Sequence, residues 1–104
     1  MPPTTVDAKL SYTAAVILKA VGSGHQYGFE IMESIGLPSG TVYPALRRLE
    51  AAGAISSLWE RERIAQAEQR PPRKYYKLTR AGQELLNSAE QRYRLPEIAE
   101  TELE

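Results

Sequence analysis

Between Ser39 and Glu50 the chain sets Thr41, Tyr43, Pro44, Arg47 and Arg48 within a few helical turns of one another. These side chains do not make or break bonds; they recognise. A guanidinium presents a planar fork of donors that fits a phosphate or the edge of a guanine, and a tyrosine or proline can press on sugar or a thymine methyl. At about 100° per residue Val42, Ala45, Leu46 and Leu49 share one helical face, Pro44, Arg47 and Arg48 take the other, and Tyr43 sits at the border. Because Pro44 has no backbone N–H, the helix is expected to begin just before it, capped by Ser39, Gly40 or Thr41. Its first amides and positive dipole end would then suit a phosphate, and the outer face is expected to meet double-stranded DNA.

The elements around this helix follow from periodicity. Leu10, Ala14, Ile17, Leu18 and Val21 recur at three and four and predict a helix ended by Gly22-Ser23-Gly24. A shorter helix from about Tyr27 to Ile35 offers Tyr27, Phe29, Met32 and Ile35 for burial and stops at Gly36. The third helix, about 39–52, closes at Gly53. The period then shortens to two: 54–59 and 73–78 read as strands of a wing. Arg73, Tyr75 and Lys77 fall on one face of the second strand, and Lys74, Tyr76 and Leu78 on the other. The charged stretch Glu60 to Pro72 between the strands is expected to be a mobile loop. Thr79 should cap a last helix with an apolar stripe of Ala81, Leu85, Leu86, Ala89 and Tyr93, running down to Leu95-Pro96. Beyond it the acidic residues 97–104 admit a frayed helix, a docking tail or disorder. The predicted fold class is mainly α with a small two-stranded antiparallel β wing, a winged helix-turn-helix plus a C-terminal helix. Residues 1–9 form an N-terminal extension, 10–80 the DNA-binding domain, and 81–104 the helix and acidic tail.

A chain of 104 residues suits one domain with one modest core. Its net charge is zero, which by itself argues against a nucleic-acid partner, but the charge is segregated. Nine bases face four acids between Ser39 and Arg80, whereas two face six from Ala81 onward. A local positive field is the consequence. There is no cysteine, no apolar run long enough to span a bilayer, and no leader-like start in Met-Pro-Pro-Thr-Thr-Val-Asp, so a cytoplasmic location is expected.

The chain resembles the PadR family of bacterial transcriptional regulators. The likeness rests on Tyr27-Gly28-Phe29-Glu30-Ile31, on Ser39-Gly40-Thr41-Val42-Tyr43-Pro44-Ala45-Leu46-Arg47-Arg48-Leu49-Glu50, and on Arg73-Lys74-Tyr75-Tyr76-Lys77-Leu78-Thr79-Arg80-Ala81-Gly82. It implies a homodimeric regulator, expected to be a repressor, whose recognition helices enter successive major grooves of a palindromic operator while the wings touch the flanking backbone. Carried over residue by residue, Thr41, Tyr43, Pro44 and Arg47 match DNA-facing positions and Lys74 lies in the matching wing strand. Arg48 and Arg73 join them by charge. The chain departs from the family where Pro96 interrupts the last helix early. Its dimer contact would have to use Leu86, Ala89 and Tyr93, with Leu95, Ile98, the first helix and the segment before it.

Some members bind flat aromatic compounds between subunits, so a small aromatic effector is a further implied partner. Trp59 stands on the wing, where a core or packing role is expected instead. Tyr76 is expected in the core, with Tyr75 stacking in the wing or touching DNA. His25, alone in a glycine-bounded turn, reads as a loop residue. No phosphate-binding loop, metal cluster or nucleophile set suggests an enzyme, and no cofactor is expected. The competing reading is a winged-helix protein-interaction module without DNA binding.

Overall fold

The computed structural model describes residues 10–100; the expected N-terminal extension and the end of the acidic tail lie outside the described residues. The first helix, α1 (Tyr12–Gly22), starts two residues later than the periodicity suggests, because the Ser11 hydroxyl accepts from the Ala14 amide at 3.1 Å and fixes the cap there. Ala15, Val16, Ile17, Leu18, Ala20 and Val21 are all buried, so α1 is apolar on nearly every side and forms the axis of the domain. The next two helices, α2 (Gly28–Ile35) and α3 (Ser39–Ala51), pack on it and on each other, as do the second wing strand and the last helix. Ile31 from α2 and Val42 and Leu46 from α3 are fully buried. Burying each of these side chains is worth about 1.5–3 kcal/mol before cavity effects.

Gly36 ends α2 at φ +69°, a left-handed cap whose amide donates to the Met32 carbonyl. Gly53, at φ +81°, turns the chain out of α3 into the wing. There β1 (Ile55–Trp59) and β2 (Lys74–Leu78) pair antiparallel, with Ser57 opposite Tyr76 and Trp59 opposite Lys74. The free edge of β2 is covered in turn: the Tyr76 amide donates to the Gln26 carbonyl at 2.7 Å, and Tyr27 bridges Tyr75. The wing is therefore tied to the residues that open α2.

The connection between the strands is not the loop expected. Residues Glu62–Ala67 form a helix, α4. Only Ala65 of it is buried, so the segment gives little periodicity to read, although its Glu, Arg, Gln and Ala content favours a helix. It closes through Gln69 at φ 59° and a bond from the Arg70 amide to the Ala65 carbonyl, the geometry of a Schellman end.

The last helix, α5 (Arg80–Arg92), begins as expected with the Thr79 hydroxyl accepting from the Gly82 amide at 3.0 Å. It ends before Tyr93, short of the expected Leu95-Pro96. Leu86 and Ala89 are buried in the chain's own core, so as the chain stands neither side chain is available to a second copy. The Tyr93 hydroxyl donates to the Leu10 carbonyl at 2.7 Å and its ring meets Tyr12 edge-on. Past it, Leu95 and Ile98 pack against the core and the Ala99 carbonyl lies 2.7 Å from Nε2 of His25. Up to Glu100 the tail is thus a docked strap without helix, and His25 helps to hold it.

Candidate nucleic-acid interface

Helix α3 carries the site because Val42, Ala45, Leu46 and Leu49 anchor its inner face, none more than 4% exposed. Arg47 and Arg48 are left outside. Neither forms an ion pair with a carboxylate among the described residues. Thr41 and Pro44 are half-buried on the same helix, and Tyr43 is 39% exposed.

The helix runs Ser39–Ala51, close to the expected 39–52, but its expected cap is corrected: Pro38 caps it through its backbone with no side-chain cap, and the amides of Thr41 and Val42 both donate to the Pro38 carbonyl. Ser39, Gly40 and Thr41 lie inside the helix rather than at its cap. Pro44 is tolerated because it withholds one bond only, the one to the carbonyl of Gly40, and Gly40 is exposed with nothing within 4 Å of where a Cβ would sit. The freed carbonyl can tilt outward.

Tyr43 is aimed by Gly28. A Cβ at Gly28 would overlap the tyrosine ring, so only glycine lets the ring lie on the opening of α2. Tyr43 then forms one wall of a groove of about 460 Å³ between α3 and the wing. Phe29, Trp59, Tyr27, Arg73 and Lys74 line it as well. The Arg73 guanidinium stacks 4.0 Å above the Tyr27 ring, and Lys74 Nζ lies 5.8 Å from the ring centre of Trp59. Of the residues singled out from the sequence, the fold gathers Tyr43, Arg73 and Lys74 around the groove; Thr41, Pro44, Arg47 and Arg48 stay on α3 outside its lining.

The expected burial of Phe29 is corrected, since it is 57% exposed; of the two roles expected for Trp59, core or packing on the wing, its 62% exposure excludes the core. Phe29 lies on the turn of α2 that faces the groove, and Trp59 ends its strand beyond the last buried layer. Tyr76 is buried as expected, and burial, followed by the nearby Glu50 carboxylate, pushes its hydroxyl above the usual range. Tyr75 stacks edge-on with Tyr27. Sequence alone does not mark Gly28, Phe29 and Glu50 as site residues; the Tyr27-Gly28-Phe29 string is a signal, but its reason is visible only with Tyr43 in place.

At the wing's far end Glu60 accepts from both terminal nitrogens of Arg70, at 2.6 and 2.8 Å, and from the Arg73 amide at 3.2 Å. These bonds, Arg70's above all, outweigh burial and hold the Glu60 carboxyl at about 2 instead of 4.5, and hold Arg70 more firmly protonated. A carboxyl depressed in the folded state adds stability that is complete above its unfolded value and is lost as pH falls toward the folded one. The clasp's contribution to stability is therefore expected to fall away between pH 4.5 and about 2. Amide shifts of Arg70 and Arg73 followed by NMR report the folded carboxyl and should titrate with a midpoint near pH 2; a transition centred at 4.5 would show that Glu60 is not clasped in solution.

Helix, helix, recognition helix and a two-stranded wing, followed by a supporting helix, define a winged helix-turn-helix. Residues 17–88 match the family model described as the transcriptional regulator PadR-like family, and the chain belongs to that family. Its fold is shared with a PadR family transcription regulator of Clostridium difficile R20291, at 30% identity and TM-score 0.69, over 81% of this chain and 88% of that one. A PadR-like transcription factor of Bacteroides fragilis is similar at 29% identity and TM-score 0.66, covering 78% and 79%. A transcriptional regulator of Clostridium thermocellum follows at 26% and 0.67, covering 80% and 81%. No curated protein matches the chain significantly. No helix among the described residues is long and apolar enough to cross a membrane.

Proposed function

We propose that the protein is a repressor that binds a palindromic operator as a homodimer, with α3 in the major groove and the wing along the backbone. The observation that carries this reading is the outer face of α3, where two arginines stand exposed without carboxylate partners among the described residues, beside the tyrosine-walled groove. Arg47 and Tyr43 read or press on bases, Thr41, Pro44 and Arg48 set the helix against the strand, and Arg73 reaches the backbone from the wing. Lys74 lies on the same side, with its charge already met by Glu50 at 3.5 Å. The regulator names of the structural neighbours support the same assignment.

For the dimer, Leu86 and Ala89 being buried in the core revises the contact set. The half-buried Leu85, Tyr93 and Leu95 remain for a second copy. An aromatic effector held there would not meet Trp59, which is exposed on the wing instead. Residues 10–80 serve as the reading unit, and α5, packed on α1 and β2, both completes the core and offers its outer side to the partner.

Selection of bound duplexes from a random pool tests the whole proposal. Enrichment of an inverted repeat, bound more weakly as salt rises, is the expected result. Light scattering should give twice the chain mass at tens of micromolar, order of magnitude. A pool that never enriches would favour the protein-interaction module, and a monomeric mass would overturn the dimer.

A further inference from the structure

We propose that Glu50 is an internal stand-in for a phosphate: its carboxylate holds Lys74 back from the nucleic-acid backbone and fixes the wing against the recognition helix. The proposal rests on the DNA reading above and deepens it, naming a residue that sets how that reading discriminates. Glu50 sits on the last full turn of α3 and spends its two oxygens on different strands. Oε2 accepts from the Ser57 hydroxyl on β1 at 2.5 Å, and Oε1 lies 3.5 Å from Lys74 Nζ on β2. One side chain therefore joins three elements, and the angle between helix and wing is set where it sits.

The charges around it sort into two kinds. Arg47, Arg48 and Arg73 have no carboxylate within ion-pair distance among the described residues, whereas Lys74 is the one cation lining the groove that is paired with an acid from the recognition helix. Arg70, also on the groove, is paired with Glu60 of the wing itself. The Glu50 and Lys74 side chains are each about a third exposed, at 35% and 33%. A pair in that setting is weak and screened, so a phosphate can compete for the ammonium, but it must displace a carboxylate that is already there. That cost falls on every duplex alike. Generic backbone attraction is reduced by one charge, and a greater share of the affinity is left to the base-facing side chains of α3.

The test uses fluorescence anisotropy with a short labelled duplex of arbitrary sequence, titrated at several salt concentrations, after thermal melts confirm that each variant is folded. Glu50→Gln keeps the acceptor for Ser57 and removes the charge. It is expected to bind several-fold more tightly, with a salt slope steeper by about 0.9, the value of one further phosphate contact. Lys74→Gln in the wild-type background is expected to leave the slope unchanged, and in the Glu50→Gln background to remove the gain. An unchanged slope in Glu50→Gln would show that freeing Lys74 adds no phosphate contact, and a slope that falls by about 0.9 in Lys74→Gln alone would show that Lys74 already makes one; either would overturn the proposal. In either case the wild type still binds DNA. Absence of salt-dependent binding by the wild type would instead overturn the DNA reading on which this rests.

Discussion

Replacing Gly82 by alanine is expected to lower the melting temperature by roughly 15 °C. The Thr79 hydroxyl donates to the Gly53 carbonyl while accepting from the Gly82 amide, and the Thr79 amide donates to the Ala54 carbonyl at 3.0 Å. These bonds draw the first turn of α5 onto the root of the wing so closely that a Cβ on Gly82 would overlap the Ala54 carbonyl oxygen. The obstacle is backbone, so no rotamer change relieves it. Overpacking of this kind costs about 3 kcal/mol, and in a domain of this size each kcal/mol moves the midpoint by roughly 4–8 °C. Gly40→Ala is the control, since nothing lies within 4 Å of its added methyl and a glycine inside a helix is costly. That variant should melt slightly higher, by about 0.5–1 kcal/mol of stability. Circular dichroism melts of the two would decide it; equal behaviour would mean that α5 is not clasped to the wing.

The second large effect is expected on binding. Arg47→Ala and Tyr43→Ala should each weaken operator affinity by about 1–3 kcal/mol, but by different routes. Arg47 is exposed and has no carboxylate partner among the described residues, so if it meets a phosphate its loss lowers the salt slope by about 0.9. If it reads a guanine, the loss is confined to one base position. Tyr43 carries no charge. Its removal should weaken binding at every salt concentration equally, with the slope unchanged. Anisotropy titrations in two salts separate these outcomes, and wild-type affinity in both variants would take the recognition role away from α3.

How much of this was legible beforehand differs by element. The face of α3 was readable because a helix anchored by Val42, Ala45, Leu46 and Leu49 must turn Arg47 and Arg48 outward, and period alone states that. How the same helix accommodates Pro44 is not. Sequence weighs the bond Pro44 withholds, but not that the one carbonyl left over belongs to the exposed Gly40. Helix α4 stayed hidden because a segment that buries only Ala65 has no stripe to detect. Hydrophobicity points Phe29 inward and allows Trp59 a place in the core or packed on the wing, whereas the groove keeps both at the surface. The apolar stripe of Leu86 and Ala89 is legible as a stripe; which body covers it depends on the placement of α1, which no local pattern records. Glu50 could not be picked out at all, since its partners Ser57 and Lys74 meet it only after the wing has folded back.

The crossing bonds at the far end of the wing have a further bearing on how this protein can vary. Glu60 binds Arg70 and the Arg73 amide, and its own amide donates to the Arg73 carbonyl, so the excursion between the strands is sewn shut at its neck. Whatever lies beyond the neck is insulated from the register of the sheet. Because closing a longer loop adds only about 0.6 kcal/mol per doubling, residues 61–69 form a permissive site, where evolution or an engineer can lengthen, shorten or replace the tip without retuning the reading head below.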